Sequence, residues 1–149
     1  MTQSGGLDGG NRKVLVTIES DGDNGYVKQQ AEGEMFPKGR QYYLRYAEPE
    51  DAKMGRTITT IRVEPGQLRV VRHGDVKTEQ TFDPGRKHIG YLNVPQGRLE
   101  LETQTESVEV SGDWTAEKVA LTVRWNYRLT VGGQPAGRFR NILKAECPY

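Results

Sequence analysis

Two histidines, one cysteine, a cluster of tyrosines and long stretches of one charge sign are the residues through which this 149-residue chain could do chemistry. His73 and His88 lie fifteen positions apart, with no HExxH pattern and no second histidine at ligand spacing, so the sequence marks no metal site. His73 adjoins the Gly74-Asp75 turn and reads as a solvated tip residue. His88 opens a strand, from which its imidazole could face a ligand or a proton-transfer partner. Cys147 has no second cysteine to bridge and no base marked beside it, so neither a disulfide nor a nucleophile follows. Gly132-Gly133 and Gly137 fall between two strands instead of opening a helix, which makes them hairpin glycines and not a phosphate cradle. No catalytic residue and no cofactor is assigned. An acid–base pair drawn from His88 and the tyrosines ranks last among the functions considered, because no nucleophile–base spacing supports it.

Tyrosine and arginine carry more. In Tyr42-Tyr43-Leu44-Arg45-Tyr46 a strand would place Tyr42 and Tyr46 on one face with Leu44, and Tyr43 on the other with Arg45. Amphipathic rings of this kind line ligand cavities and also plug small barrels. Tyr42, Tyr46, Arg72, His88, Tyr91 and Arg128 form the candidate ligand-binding set. Charge is distributed unevenly. Residues 98–117 hold six acids against Arg98 alone, and residues 118–145 hold six bases and no acid. If these are consecutive strands, Glu100 and Glu102 should face Arg124 and Arg128, each pair contributing roughly 0.2–1 kcal/mol and helping to fix register. The rival use of the basic stretch is an outer strip over 124–140 that contacts RNA or protein, with Trp125, Tyr127 and Phe139 interleaved among the arginines. The excess of 13 arginines over 8 lysines suits bidentate anion contacts.

Nearly everything after the Gly-rich residues 1–11, read as a flexible leader, follows a period of two. The clearest case is Val119–Val131, with Val119, Leu121, Val123, Trp125, Tyr127, Leu129 and Val131 on one face and Thr122, Arg124, Asn126 and Arg128 on the other. About ten such strands are separated by breakers that include Asn24-Gly25, Pro65-Gly66, Gly74-Asp75, Pro84-Gly85 and Gly132-Gly133. Helix is expected only as a turn or two around 49–54. Short sequential turns make an antiparallel meander, and closing it hides the apolar face and removes the edges. Residues 12–146 are therefore expected to form one all-β domain, an up-and-down barrel of about 8–10 strands. In 98–110 the apolar phase moves from odd positions (Leu99, Leu101) to even ones (Val108, Val110), which predicts a β-bulge near Ser107.

Composition sets the outer bounds. A net charge of +1 removes the global electrostatic case for nucleic acid, and no apolar run approaches a membrane helix, so the expectation is a cytoplasmic protein without membrane contact. The order and spacing of Tyr42-Tyr43-Leu44-Arg45-Tyr46, Val70-Val71-Arg72-His73-Gly74, Gly90-Tyr91 with Pro95 and Gly97, and Tyr127-Arg128-Leu129 with Gly133 and Gly137 resemble the YwiB-like family of small bacterial proteins of unknown function. The resemblance spans about 12–144 and implies a calycin-like barrel, akin to lipocalins and fatty-acid-binding proteins, with no established catalytic residues or cofactor. The stretch 111–117 with Trp114 looks longer and more polar than that family's tight turn. The expected function is non-enzymatic binding of a small, partly apolar molecule, with an anionic group as one option. The alternative is a structural or interaction module using the outer strip. A homodimer is compatible with either.

Overall fold

The computed structural model describes residues 11–23, 25–114 and 118–147, with the Trp114 side chain left aside. Most of the expected leader, Asn24 of the first turn and 115–117 lie outside the described residues, while Ser111–Trp114, expected in a longer connection, continue a strand paired with the next. Ten strands follow in order: β1 (Arg12–Gly22), β2 (Gly25–Lys38), β3 (Gln41–Ala47), β4 (Thr57–Glu64), β5 (Gln67–Gly74), β6 (Lys77–Phe82), β7 (Lys87–Val94), β8 (Gly97–Trp114), β9 (Val119–Val131) and β10 (Gln134–Glu146). Each pairs antiparallel with its neighbour in sequence, and β1 pairs with β10 to close the barrel. The expected helical turn is a single 3-10 turn over Glu50–Ala52. Among the described residues no helix is long and apolar enough to cross a membrane.

Alternation decides which side chains meet inside. Val14 and Val16, Met35, Leu44 and Tyr46, Ile61 and Val63, Leu68 and Val70, and the odd positions Val119 to Trp125 are all buried. The bulge falls where the phase change places it: register shifts between Thr105 and Ser107, so Thr103 and Thr105 face in before it and Val108 after it.

Two expectations are corrected here. Glu100 and Glu102 do not face Arg124 and Arg128: Glu102 stands opposite Thr130, Arg128 opposite Gln104, and Arg124 opposite Glu109. Parity alone had suggested the pairing, whereas register runs back from the β8–β9 connection, starting at Trp114↔Val119. The acids instead meet bases on other strands, Glu102 with Lys87 at 3.7 Å and Glu106 with Arg138 at 3.3 Å. The outer strip also divides. Arg124, Arg128, Arg138 and Arg140 are exposed, but Trp125, Tyr127 and Phe139 belong to the opposite, interior face of the same strands.

The wall is thinnest between β6 and β7, which share only Lys77↔Asn93, Thr78↔Leu92 and Glu79↔Tyr91. Past these, β6 is tied to β8 by side chains: Gln80 Nε2 donates to Thr103 Oγ1 at 3.4 Å, and the Asp83 amide donates to Thr105 Oγ1 at 3.2 Å. Gly90 sits at the point of divergence, where a Cβ would lie 1.9 Å from the Glu79 carbonyl oxygen. Gly90→Ala is therefore expected to cost at least about 1–3 kcal/mol through forced displacement of that backbone. Ile89→Ala, at a neighbour 57% exposed, should stay within about 0.5 kcal/mol by urea unfolding.

Candidate ligand-binding cavity

The interior differs along its length. Toward one end Val14, Val16, Met35, Leu44, Val63, Leu68, Leu121, Val123, Leu143 and Ala145 pack into a dense apolar core. Toward the other, the barrel holds a cavity of about 480 Å³ that opens past Val27, Asp51 and Ala52. Strands β1, β5, β6, β9 and β10 supply its apolar wall through Ile18, Val70, Phe82, Trp125, Leu129 and Phe139. The rings contact one another: Phe82 and Tyr127 are 4.7 Å apart between centroids and tilted, Tyr127 and Phe139 are 5.4 Å apart and stacked.

Polar groups converge inside this wall. Glu48 follows β3, and its amide donates to the Thr57 carbonyl at 2.9 Å. That bond extends the strand pairing by one step and keeps Glu48 in phase with Tyr42, Leu44 and Tyr46, so its carboxylate points inward. Only 3% of the Glu48 side chain is exposed, Thr59 donates a hydroxyl hydrogen bond to it, and Arg72 Nε lies 3.8 Å away. A further bond runs from an Arg72 terminal nitrogen to Thr78 Oγ1 at 3.4 Å. At 3.8 Å the carboxylate is an ion-pair partner but too distant to accept a hydrogen bond, and Arg72 Nε is buried with no acceptor from the protein. The same holds for Asn141 Nδ2, which also lines the cavity. Burial, then the negative charge of Glu48, push the Tyr46 hydroxyl well above its ordinary pKa. Burial raises that of Tyr127, with Arg72 and Asn141 acting in the opposite sense. Both phenols are neutral donor–acceptors across the physiological range.

Of the six residues expected at a site, the fold brings Tyr46 and Arg72 together. Tyr42 faces inward near the packed end, lining a separate recess of about 180 Å³ with Met35 and Leu121. His88 is paired with inward-facing Thr103, but its Nε2 stands 3.5 Å from the Asp83 carboxylate at the β6–β8 junction and does not line the cavity. Tyr91 is on the outer surface, its ring 4.3 Å from the Arg98 guanidinium carbon, and Arg128 is exposed outside. Among the polar groups, Glu48, Gln80 and Asn141 are cavity residues that reading the sequence missed. Their signal was parity, since each is spaced by two from an inward apolar neighbour. Among the described residues no group of three or more His, Cys, Asp or Glu stands together to hold a metal.

The model of a family described as a domain of unknown function, DUF1934, matches residues 13–142. The chain is 31% identical over 113 residues to the uncharacterised β-barrel protein YwiB of Bacillus subtilis (strain 168), covering 76% of this chain and 77% of that one. The crystal structure of the Bacillus subtilis ywiB protein superimposes with a TM-score of 0.77 and 26% identity, over 93% of this chain and 94% of the other.

The buried phenols make a pH-dependent contribution to stability. With the Tyr46 pKa raised in the fold, the native state keeps a proton that the unfolded chain gives up, so the contribution is full below about pH 10 and lost as pH rises beyond it. Urea unfolding between pH 8 and pH 11 should show a decline above pH 10 that is shallower in Tyr46→Phe than in the parent. Equal slopes would assign the alkaline loss to other groups.

Proposed function

The chain belongs to the DUF1934 family, and on that premise we propose that it is a small-molecule binding protein whose site is the hollow half of its barrel. The observation that carries this reading is the ion pair of buried Glu48 with partly buried Arg72, facing an open volume beside four aromatic rings. Taking a carboxylate out of water and a guanidinium most of the way out costs more than their attraction returns unless further partners complete them, and an apolar filling would be as stable or more so. The packed half of this same barrel has such a filling. Polar groups that keep unmet hydrogen-bonding capacity beside a cavity of this size fit recognition better than scaffolding. The binding is non-enzymatic in this reading, with Tyr46 and Arg72 orienting the ligand and Phe82, Trp125, Tyr127 and Phe139 covering its apolar surface.

The interaction-module alternative has less support. Its aromatic residues face the interior, and two of its arginines already meet acids, Arg138 with Glu106 and Arg140 with Asp21 at 3.1 Å.

A thermal-shift screen of small, partly apolar compounds should yield ligands that stabilise the protein. Leu129→Trp, which fills the cavity, should weaken them at least about tenfold, whereas Arg128→Ala on the outside leaves affinity unchanged. A screen without a single stabilising compound, or undiminished binding in a folded Leu129→Trp variant, would refute the proposal.

A further inference from the structure

Resting on the reading that the cavity holds a ligand, we infer that the ligand is uncharged, flat and bears a carbonyl-type acceptor, a carbonyl-containing aromatic heterocycle and not a carboxylate. The charge count of the walls decides its charge. Apart from tyrosines, the ionisable side chains lining the cavity are Glu48, Arg72 and Asp51, and Asp51 is exposed at the mouth, so the interior holds a balanced pair, one acid against one base. Arg72 is already paired with Glu48. An anionic ligand would leave the cavity with a surplus of negative charge where solvent screening is weak, and among the described residues the one cation lining it is the one it would have to take from Glu48. A cationic group would leave the opposite surplus, since Glu48 is already paired with Arg72. The anionic option entertained from sequence rested on Arg72 and Arg128 together, and Arg128 is outside the barrel.

Hydrogen bonding decides the polar edge. Arg72 Nε and Asn141 Nδ2 are both buried donors lacking a protein acceptor. A molecule that displaces solvent from them must present acceptors or leave them unsatisfied, which is the more costly outcome. A ring carbonyl or ring nitrogen does this without bringing charge. The walls decide the shape. Phe82, Tyr127 and Phe139 form a continuous series of ring contacts with Trp125 beside Phe82, so flat apolar surface is what the cavity can cover best.

Three bicyclic probes of similar size separate these claims: isoquinolin-1-one, naphthalene-2-carboxylate and naphthalene, titrated calorimetrically into the full chain. Isoquinolin-1-one should bind about tenfold more tightly than either of the others. Glu48→Gln removes the buried acid and leaves Arg72 free to meet a carboxylate, so it should narrow or reverse the preference of isoquinolin-1-one over the carboxylate by at least about tenfold. Arg72→Met in the Glu48→Gln background leaves no lone buried charge to prevent folding, and should bring isoquinolin-1-one closer to naphthalene, with Asn141 Nδ2 still present as a donor. Naphthalene-2-carboxylate binding best to the parent protein, or a preference unmoved by Glu48→Gln, overturns the inference while leaving the cavity as a binding site. Failure of isoquinolin-1-one to bind at millimolar concentration also overturns it. If the compound screen then yields ligands that Leu129→Trp excludes, the binding reading itself still stands.

Discussion

The pairing of β1 with β10, from Leu15↔Glu146 to Gly22↔Phe139, is the constraint on which everything else rests. Without it both strands would present unpaired amides and carbonyls along an open edge, and the sheet would have no defined inside. With it, the period-two alternation of every strand acquires one meaning: one set of positions goes to a shared interior and the other to solvent. Partners 119 residues apart are brought side by side by this seam, as Arg140 and Asp21 show on its outer surface. A sheet closed by ten strands has more interior than its inward side chains need to fill, and so it can be dense at one end and hollow at the other.

That division separates stability from recognition along a single axis. The dense end buries Leu44 and Leu68 completely, along with the valines around them, and contains none of the ionised groups. The hollow end holds the polar residues whose burial is costly: Glu48, Arg72, Gln80 and Asn141. Thr57, Thr59, Thr78, Thr103 and Thr105 supply buried hydroxyls there and along the β6–β8 junction, so polar satisfaction of the interior is carried largely by one residue type on alternating positions. Threonine suits that role because its branched side chain packs like valine on a pleated surface while offering a hydrogen bond.

The architecture was legible because it depends on parity and turn chemistry, both of which are local. Val119–Val131 displays its inward face without ambiguity, and the phase change before Val108 locates the bulge. Parity fails where register decides. Tyr42 and Tyr46 share a face, yet four residues of strand separate them by roughly 13 Å, enough to put them at different ends of the barrel. Tyr91 and Arg128 have the right chemistry on the wrong face, a distinction that in short strand β7 depends on its partners Glu79 and Glu100. Glu48 was passed over because it precedes Pro49 and looks like loop, although one more backbone bond keeps it in strand phase. Asn141 and Gln80 occupy inward positions where an apolar residue is the default, and only the cavity around them explains their presence.

The short β6–β7 boundary changes how the barrel should move. A closed ring of antiparallel strands is stiff because no wall can open without breaking a full ladder, but this wall has three residue pairs where its neighbours have more. Its remaining ties are few: two bonds to threonine hydroxyls at 3.4 and 3.2 Å, and two backbone bonds that join the β6–β7 turn to β8, from the Gly85 amide to the Thr105 carbonyl at 3.0 Å and from the Thr105 amide to the Arg86 carbonyl at 3.3 Å. Opening there is a local fluctuation that separates fewer residue pairs than opening either neighbouring ladder. Gln80 and Phe82, on the β6 side of that boundary, are also walls of the cavity. The barrel thus has one stretch of wall whose loosening does not depend on how stable the packed end is.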